Sequence, residues 1–130
     1  DNTIELQLPF IKYFFKDACI VAMGVPPAKS SLAIGQAVAE MANRLDLNIK
    51  VIGSTDLTHY GPNYGFVSKG AGHQALDWVR RQNDRRIIDL MLDLDAEKVI
   101  SEALTSQNAC CAGAAATAIQ TAKHLGADRA

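Results

Sequence analysis

Two continuous apolar runs, separated by an amphipathic stripe, limit the folds open to this chain more than any other feature. The first run is CIVAMGV at 19–25, and the second is IKVIG at 49–53. The apolar positions between them recur at helical spacing and comprise Ile34, Val38, Met41 and Leu45. Continuous apolar runs are typical of parallel strands that are buried on both faces. The pattern therefore predicts adjacent parallel strands near 19–25 and 49–54, joined through a right-handed crossover by a helix near 31–46.

The rest of the chain is predicted to be largely helical. Asp95 can cap a short helix, Asn108 can cap the last one, and Gly126 stands where a C-terminal glycine ends a helix. We therefore predict an α/β fold, with a parallel sheet and flanking helices. Two strands are too few for a stable open sheet. The sheet is accordingly expected to be incomplete in this segment, with exposed edges that favour homo-oligomers.

Charge and cysteine content exclude several classes of protein. Thirteen basic and fourteen acidic residues give a net charge of −1, so no basic surplus suggests nucleic acid. No apolar run approaches the ~20 residues of a membrane span. Three cysteines without framework spacing argue against a secreted disulfide scaffold. These features predict a cytoplasmic protein that binds neither nucleic acid nor membrane.

A polar segment, STDLTHYGPNYGF at 54–66, directly follows the second apolar run. In parallel sheets, ligands bind beyond the carboxyl ends of the strands. Asp56 and His59 lie in that zone, which favours a functional site. The alternative is a plain turn built from the glycines, proline and asparagine of the segment. Position alone leaves both interpretations open.

Cys110 and Cys111 lie at the predicted N-terminus of the last helix. The helix dipole at such a position lowers the pKa of a thiol and favours the thiolate, which is the form that binds metal. The alternative is that both are small residues packed under an alanine-rich helix. His59 and Cys110 do not have the spacing of a metal finger, so spacing alone predicts no metal site.

Three motifs in order make the chain resemble the Memo family. The first is DNTIELQLPF at 1–10, the second is the segment at 54–61 that carries Asp56 and His59, and the third begins at Cys110 and ends in KHLGA at 123–127. The resemblance covers essentially all 130 residues. It implies the fold of the class III extradiol dioxygenases, an α/β parallel sheet with flanking helices. Family members are considerably longer, so 1–130 resembles a single Memo-like domain without its N- and C-terminal parts.

The resemblance also implies a metal site. His59 and Cys110 match ligand positions of the family, whereas Asn2 falls where the family has a histidine, and a further histidine would precede Asp1. A carboxamide is a weak, neutral ligand for iron or copper. We therefore expect iron or copper to be bound weakly or not at all by this segment. The alternative role of Asn2 is to cap a helix.

For intact relatives, the resemblance implies non-haem-metal redox chemistry of the extradiol dioxygenase type. His59 would then be an acid–base or a ligand, Asp56 would orient it, and Tyr60 and Tyr64 would line the substrate pocket. This segment alone is expected not to cleave aromatic rings. The alternative is a non-enzymatic adaptor that binds a peptide or protein and has a degenerate metal site. The bound partner, a small molecule or a peptide, is not identified by the sequence.

Overall fold

A computed structural model of the chain describes the backbone of residues 2–130 and the side chains from Ile4 onward. Helices dominate the described range. They are α1 (Asn2–Glu5), α2 (Leu8–Phe14), α3 (Lys29–Arg44), α4 (His73–Trp78), α5 (Asp84–Leu92), α6 (Ala96–Ser106) and α7 (Ala112–His124). A short 3₁₀ turn spans Pro62–Tyr64, and a wide π-helical turn spans Val79–Asn83. None of the helices in this range is both long and apolar enough to cross a bilayer.

The predicted parallel sheet is wrong. Within the described residues, the one strand-like pairing is an antiparallel bridge between Gly61 and Phe66. The runs at 19–25 and 49–53 adopt no regular secondary structure, and no backbone hydrogen bond joins them to each other. The helix predicted near 31–46 is present as α3, but it packs on α7 instead of covering a sheet. The α/β, dioxygenase-like architecture is therefore corrected to a mainly helical one.

Exposure of the two runs gives the physical reason for this correction. Val21 is 84% exposed and Ile52 is 57% exposed. A continuous apolar run indicates that burying both faces of the segment would be favourable. It does not specify which residues would cover those faces. The sheet edges that were expected to mediate oligomers are consequently absent from the described chain. Homo-oligomer formation itself stays a prediction.

Helix α7 is the centre of the packing. Gly35 of α3 lies so close to α7 that a Cβ built on it would stand 2.8 Å from the carbonyl oxygen of Thr117. The hydroxyl of Thr117 donates to the carbonyl of Ser31 at 3.0 Å, and Thr121 donates to the carbonyl of Gly35 at 3.0 Å. On its other side, α7 packs against α6 through a group of small side chains that clusters with Ile87 of α5. Small residues thus let α3 and α6 approach α7 closely.

Both apolar runs end against the first turn of α7. A Cβ on Gly113 would meet the backbone of Pro26, which ends the first run, and a Cβ on Gly53 would lie 2.6 Å from the carbonyl oxygen of Ala114. These close approaches place the segment after Gly53 directly beside the residues that precede α7. The candidate functional side chains of the two segments are brought together in this way.

Asp95 caps α6, as the sequence predicts. Its Oδ1 accepts from the backbone N–H of Lys98 at 3.1 Å, and the Lys98 Nζ lies 2.7 Å from Oδ2. The hydrogen bond from the Lys98 side chain, followed by that from the Lys98 backbone, holds the pKa of the Asp95 carboxyl below its ordinary value. The carboxylate form is therefore the one that the folded state favours.

Removing this cap should destabilise the chain in a pH-dependent way. We expect Asp95→Ala to lower the free energy of unfolding at neutral pH by about 1 kcal/mol. Asp95→Asn keeps a capping oxygen but loses the charge, so its deficit should be smaller. Because the folded pKa is depressed, the carboxylate contribution is present above the unfolded pKa and is lost as pH falls through the folded pKa. Urea unfolding of both variants between neutral and acid pH is the measurement, and a pH-independent Asp95→Asn deficit would contradict the charge effect.

Candidate functional site

Three backbone-anchored hydrogen bonds hold the 54–60 segment against the approach to α7. The N–H of Cys110 donates to the carbonyl of Asp56 at 3.1 Å, and the N–H of Asp56 donates to the Cys110 Sγ at 3.3 Å. The N–H of Cys111 donates to the Thr55 hydroxyl at 3.0 Å. Two stretches that are more than fifty residues apart in sequence are thereby fixed side by side.

Asp56, His59 and Cys110 converge at this junction. Their candidate ligand atoms all lie within 4.8 Å of one another. The Asp56 Oδ2 is 3.2 Å from the His59 Nε2, and the side chains of Asp56 and His59 are 77% and 42% exposed. The structure therefore brings together three of the residues that the sequence singled out, in a position open to solvent. The catalytic and metal-binding roles assigned to them stay predictions.

The thiol beside α7 does not follow the expectation from the helix dipole. Cys111, not Asn108, occupies the position before the first residue of α7. Burial raises the pKa of the Cys111 thiol, and the neighbouring Cys110 and the Asp56 carboxylate raise it further. Desolvation, Cys110 and Asp56 therefore oppose the lowering of the thiol pKa that the helix dipole was expected to give at Cys111. Cys110 is exposed and is the thiol that belongs to the candidate ligand group with Asp56 and His59.

An open cleft of about 710 Å³ lies beside His59, and both predicted tyrosines line it. Tyr64 is 61% exposed and stacks on the His59 ring, with centroids 4.8 Å apart and planes inclined at 29°. The Tyr60 hydroxyl accepts from the N–H of Lys69 at 2.8 Å and donates to the carbonyl of Gly70 at 3.1 Å. The polar atom of Tyr60 is thus occupied in shaping the cleft wall, whereas the Tyr64 ring is exposed on that wall.

The turn interpretation of the same segment also holds. Gly61 and Gly65 adopt φ values of 123° and 65°, which are conformations that L side chains rarely adopt. They flank the 3₁₀ turn and bring Phe66 back to pair with Gly61. The turn reverses the chain after His59 and so places Tyr64 over the imidazole. Turn and candidate site are therefore two aspects of one local structure.

A second, smaller cleft of about 370 Å³ opens on another side of His59. Its lining is mainly apolar and comprises Leu57, His59, Ala103, Leu104, Gln107, Ala109 and Cys110. His59 is shared by the two clefts, and Cys110 lines only the smaller one. A ligand in the larger cleft would therefore meet the imidazole before it met the thiol.

A buried polar network that the sequence analysis missed anchors the residue next to His59. The N–H and hydroxyl of Thr58 both donate to the Asp84 carboxylate, the N–H at 3.1 Å. The fully buried Asn83 donates through Nδ2 to the Thr58 hydroxyl and to the carbonyl of Ser106, each at 3.0 Å. Asn83 stands four residues before the buried Ile87, and this helical spacing is the signal that could have placed it inside.

Asn108 belongs to the same network, so its predicted role as a helix cap is wrong. It is fully buried, and its Nδ2 donates to the carbonyl of Asn83 at 2.8 Å and to the Glu102 carboxylate at 3.1 Å. Its Oδ1 has no hydrogen-bond partner among the described residues. The network therefore links the segment before Cys110 to the turn that supports Thr58. The side chain of Asn2, the third predicted ligand position, lies outside the described residues.

Comparison with known proteins agrees with the resemblance seen in the sequence. The sequence model of the Memo family, described as Memo-like protein, matches residues 1–130. A MEMO1 family protein of Thermococcus onnurineus is 33% identical over 98% of this chain and 46% of its own length. One from Pyrococcus furiosus is 36% identical over 85% of this chain and 40% of its own length. No solved structure matches the chain.

The alignments cover nearly all of this chain but only part of each relative. A MEMO1 family protein of Methanosarcina barkeri aligns with 100% of this chain at 29% identity, yet the alignment covers only 45% of that protein. The chain thus spans less than half the length of the relatives described here. Because the family match runs over every residue from 1 to 130, this chain belongs to the Memo family.

Proposed function

We propose that this chain binds a transition metal through Asp56, His59 and Cys110, and that the site serves redox chemistry in the whole protein. The observation that carries the proposal is the convergence of the three ligand atoms within 4.8 Å. The family resemblance supports iron or copper as the metal. The three residues come from two distant parts of the chain, so their convergence requires the tertiary structure.

The donor set fits such a metal. Cys110 offers a soft thiolate, His59 an imidazole and Asp56 a harder carboxylate, a combination that suits copper more than ferrous iron, which lies low in the affinity order. Three protein ligands leave positions open, as in catalytic metal sites. When bound, the metal would supply Lewis-acid and electron-transfer chemistry at the solvent-open edge of the cleft.

Asp56 can act on His59 in a second way. The Asp56 Oδ2 lies 3.2 Å from the His59 Nε2 and can accept a hydrogen bond from the Nε2–H. This hydrogen bond fixes the ring tautomer and leaves Nδ1 free to bind a metal. The same pair can take up or release a proton at Nε2. The Tyr64 ring covers one face of the imidazole and so helps to hold its orientation. Asp56 is thus an orienting residue or a ligand, and the two roles can be separated by substitution.

Metal titration of the purified chain tests the proposal. Copper and ferrous iron are added anaerobically against a competing chelator, and cobalt(II) reports a thiolate bond through its charge-transfer absorption. We expect one metal per chain. His59→Ala and Cys110→Ser should weaken binding by about 100-fold, since outer-shell changes alone cost about 10- to 100-fold. Asp56→Asn should cost about 10-fold if Asp56 only orients His59.

Cys19→Ser is the matched control, because Cys19 is an exposed thiol outside the three-residue group. It should leave affinity and the cobalt spectrum unchanged. Equal metal binding by the unmodified chain and by Cys110→Ser would refute the site. Binding that is lost in Cys19→Ser instead would place the metal elsewhere.

A second candidate function is a metal-independent binding module. The observation that favours it is the cleft of about 710 Å³ with the exposed Tyr64 ring on its wall. The experiment is a peptide-library selection against the metal-free chain. Peptide binding that Tyr64→Ala abolishes, and that Cys110→Ser spares, would support this module, because Cys110 does not line the larger cleft. Binding that requires added metal would favour the metal site instead.

A further inference from the structure

The two adjacent cysteines before α7 are in direct contact. The Cys110 Sγ lies 3.5 Å from the Cys111 Sγ, close enough for a thiol hydrogen bond. Cys110 is exposed and Cys111 is partly buried. The Cys110 Sγ also accepts the Asp56 N–H at 3.3 Å and is one of the three candidate ligand atoms. One sulfur is therefore shared between a thiol pair and the candidate metal group.

We propose that Cys110 and Cys111 are an oxidation site, which closes to a disulfide between adjacent residues and withdraws the Cys110 sulfur from Asp56 and His59. The disulfide itself depends only on the thiol pair. Its effect on metal binding rests on the proposed function.

The oxidation balances with a peroxide as the two-electron oxidant. The Cys110 thiolate attacks the O–O bond of hydrogen peroxide, which gives a sulfenic acid, and the second peroxide oxygen leaves as water after protonation. The Cys111 sulfur then attacks the Cys110 sulfur. The S–S bond forms, the S–O bond breaks, and the hydroxyl leaves as a second water with the Cys111 proton. Overall, two thiols and one peroxide give one disulfide and two waters.

Exposure decides the order of these two steps. Peroxide reaches the exposed Cys110 first, and the partly buried Cys111 is already in contact to resolve the sulfenic acid. The two sulfurs need to approach by about 1.5 Å to reach the length of a disulfide bond. That movement breaks the contact of the Cys110 Sγ with the Asp56 N–H. A thioether-like disulfide sulfur is also a far weaker metal ligand than a thiolate.

Adjacent positions make the bond easy to reverse. Consecutive Cα atoms are about 3.8 Å apart, whereas disulfides usually join Cα atoms about 4.4–6.8 Å apart. A disulfide outside this range is strained, and strained or exposed disulfides are the labile, regulatory ones. The pair is therefore suited to switching rather than to holding the fold together.

Mass spectrometry after peroxide treatment tests the disulfide. The purified, metal-free chain is treated with equimolar hydrogen peroxide. We expect the intact mass to fall by two hydrogen atoms, a peptide that contains both cysteines in linked form, and full reversal by dithiothreitol. Cys111→Ser should instead accumulate a sulfenic acid at Cys110 that dimedone traps, and Cys19→Ser should behave like the unmodified chain. A disulfide that involves Cys19 or a second chain, or oxidation beyond the disulfide at Cys110, would overturn the proposal.

A parallel metal titration separates the two hypotheses. Oxidation should weaken copper binding by about 100-fold, and dithiothreitol, once removed, should leave it restored. Cys111→Ser keeps all three proposed ligands and should bind copper like the unmodified chain before oxidation. A reversible disulfide in a chain that binds no metal in either state would refute the metal site and leave the oxidation site standing. Equal copper affinity of the reduced and disulfide forms would refute the withdrawal of the Cys110 sulfur.

Discussion

Replacing Gly113 with alanine is expected to lower the free energy of unfolding by about 3 kcal/mol, at the upper end of the usual cost of overpacking. A Cβ at this position would stand 2.6 Å from the carbonyl carbon of Pro26 and 2.8 Å from the carbonyl oxygen of Val25, and closer still to the Pro26 oxygen. All three are backbone atoms, so no side-chain rotation relieves the clash. The first apolar run, at 19–25, would have to move away from α7.

Helix propensity makes this a sharp test. Gly113 lies in the first turns of α7, and alanine is favoured over glycine inside a helix by about 1 kcal/mol. If packing were unimportant, Gly113→Ala would therefore be neutral or stabilising. Gly24→Ala is the matched control, because a Cβ on Gly24 would meet nothing within 4 Å. Urea unfolding of both variants gives the comparison, and a Gly113→Ala chain as stable as Gly24→Ala would show that the first run does not pack on α7.

Replacing Asn83 with alanine should remove the anchor of the candidate site. We expect the free energy of unfolding to fall by about 3 kcal/mol, because the carbonyl of Ser106 and the hydroxyl of Thr58 lose a buried donor. Arg86 also loses its 2.6 Å contact to the Asn83 Oδ1, although it keeps its ion pair with Glu102. Asn83 is fully buried in the folded chain, so the substitution destabilises the folded state rather than the unfolded one.

The same substitution should also act on the metal site, at a distance from the ligands. Because Asn83 and Asp84 hold Thr58, which precedes His59, we expect copper affinity to fall by about 10-fold in Asn83→Ala under conditions where the variant is folded. Asn43→Ala, an exposed substitution on α3, is the control and should change neither quantity. A destabilised Asn83→Ala chain with unchanged copper affinity would show that the network supports the fold without positioning His59.

Local patterns predicted the helical part of the chain well. The helix predicted near 31–46 is found as α3, although Met41 and Leu45 of its predicted apolar stripe are exposed. Asp95 caps α6 through the N–H of Lys98, and Gly126 follows the end of α7 with a φ of 97°. Each of these features depends on residues three or four positions apart, which a sequence displays directly. The cap attributed to Asn108 was wrong because its buried partners, Asn83 and Glu102, compete for the same side chain.

For the candidate site, the sequence likewise indicated the residues, whereas the tertiary structure determined the distances between them. Residue type and local position singled out Asp56, His59 and Cys110, and the resemblance matched His59 and Cys110 to ligand positions. Their mutual distance depends on contacts between segments that are 54 residues apart, among them the hydrogen bond from Asp56 to the Cys110 sulfur. The support from Asn83 and Asp84 likewise joins residues about 25 positions apart. No local pattern encodes such pairings, since each half is an ordinary polar residue by itself.

By itself, the sequence determined the helices, the turn at Gly61 and Gly65 and the chemistry of the candidate ligands, because short-range sterics and capping decide these features. Only the tertiary structure decided that the two apolar runs remain unpaired and lie against α7 at Gly53 and Gly113. An apolar run indicates that burial of its side chains would be favourable. Strand pairing also needs a neighbouring segment with free backbone N–H and C=O groups, which the run itself does not specify. Within the described residues each run instead ends against the first turn of α7, and this arrangement sets Cys110 beside Asp56 and His59.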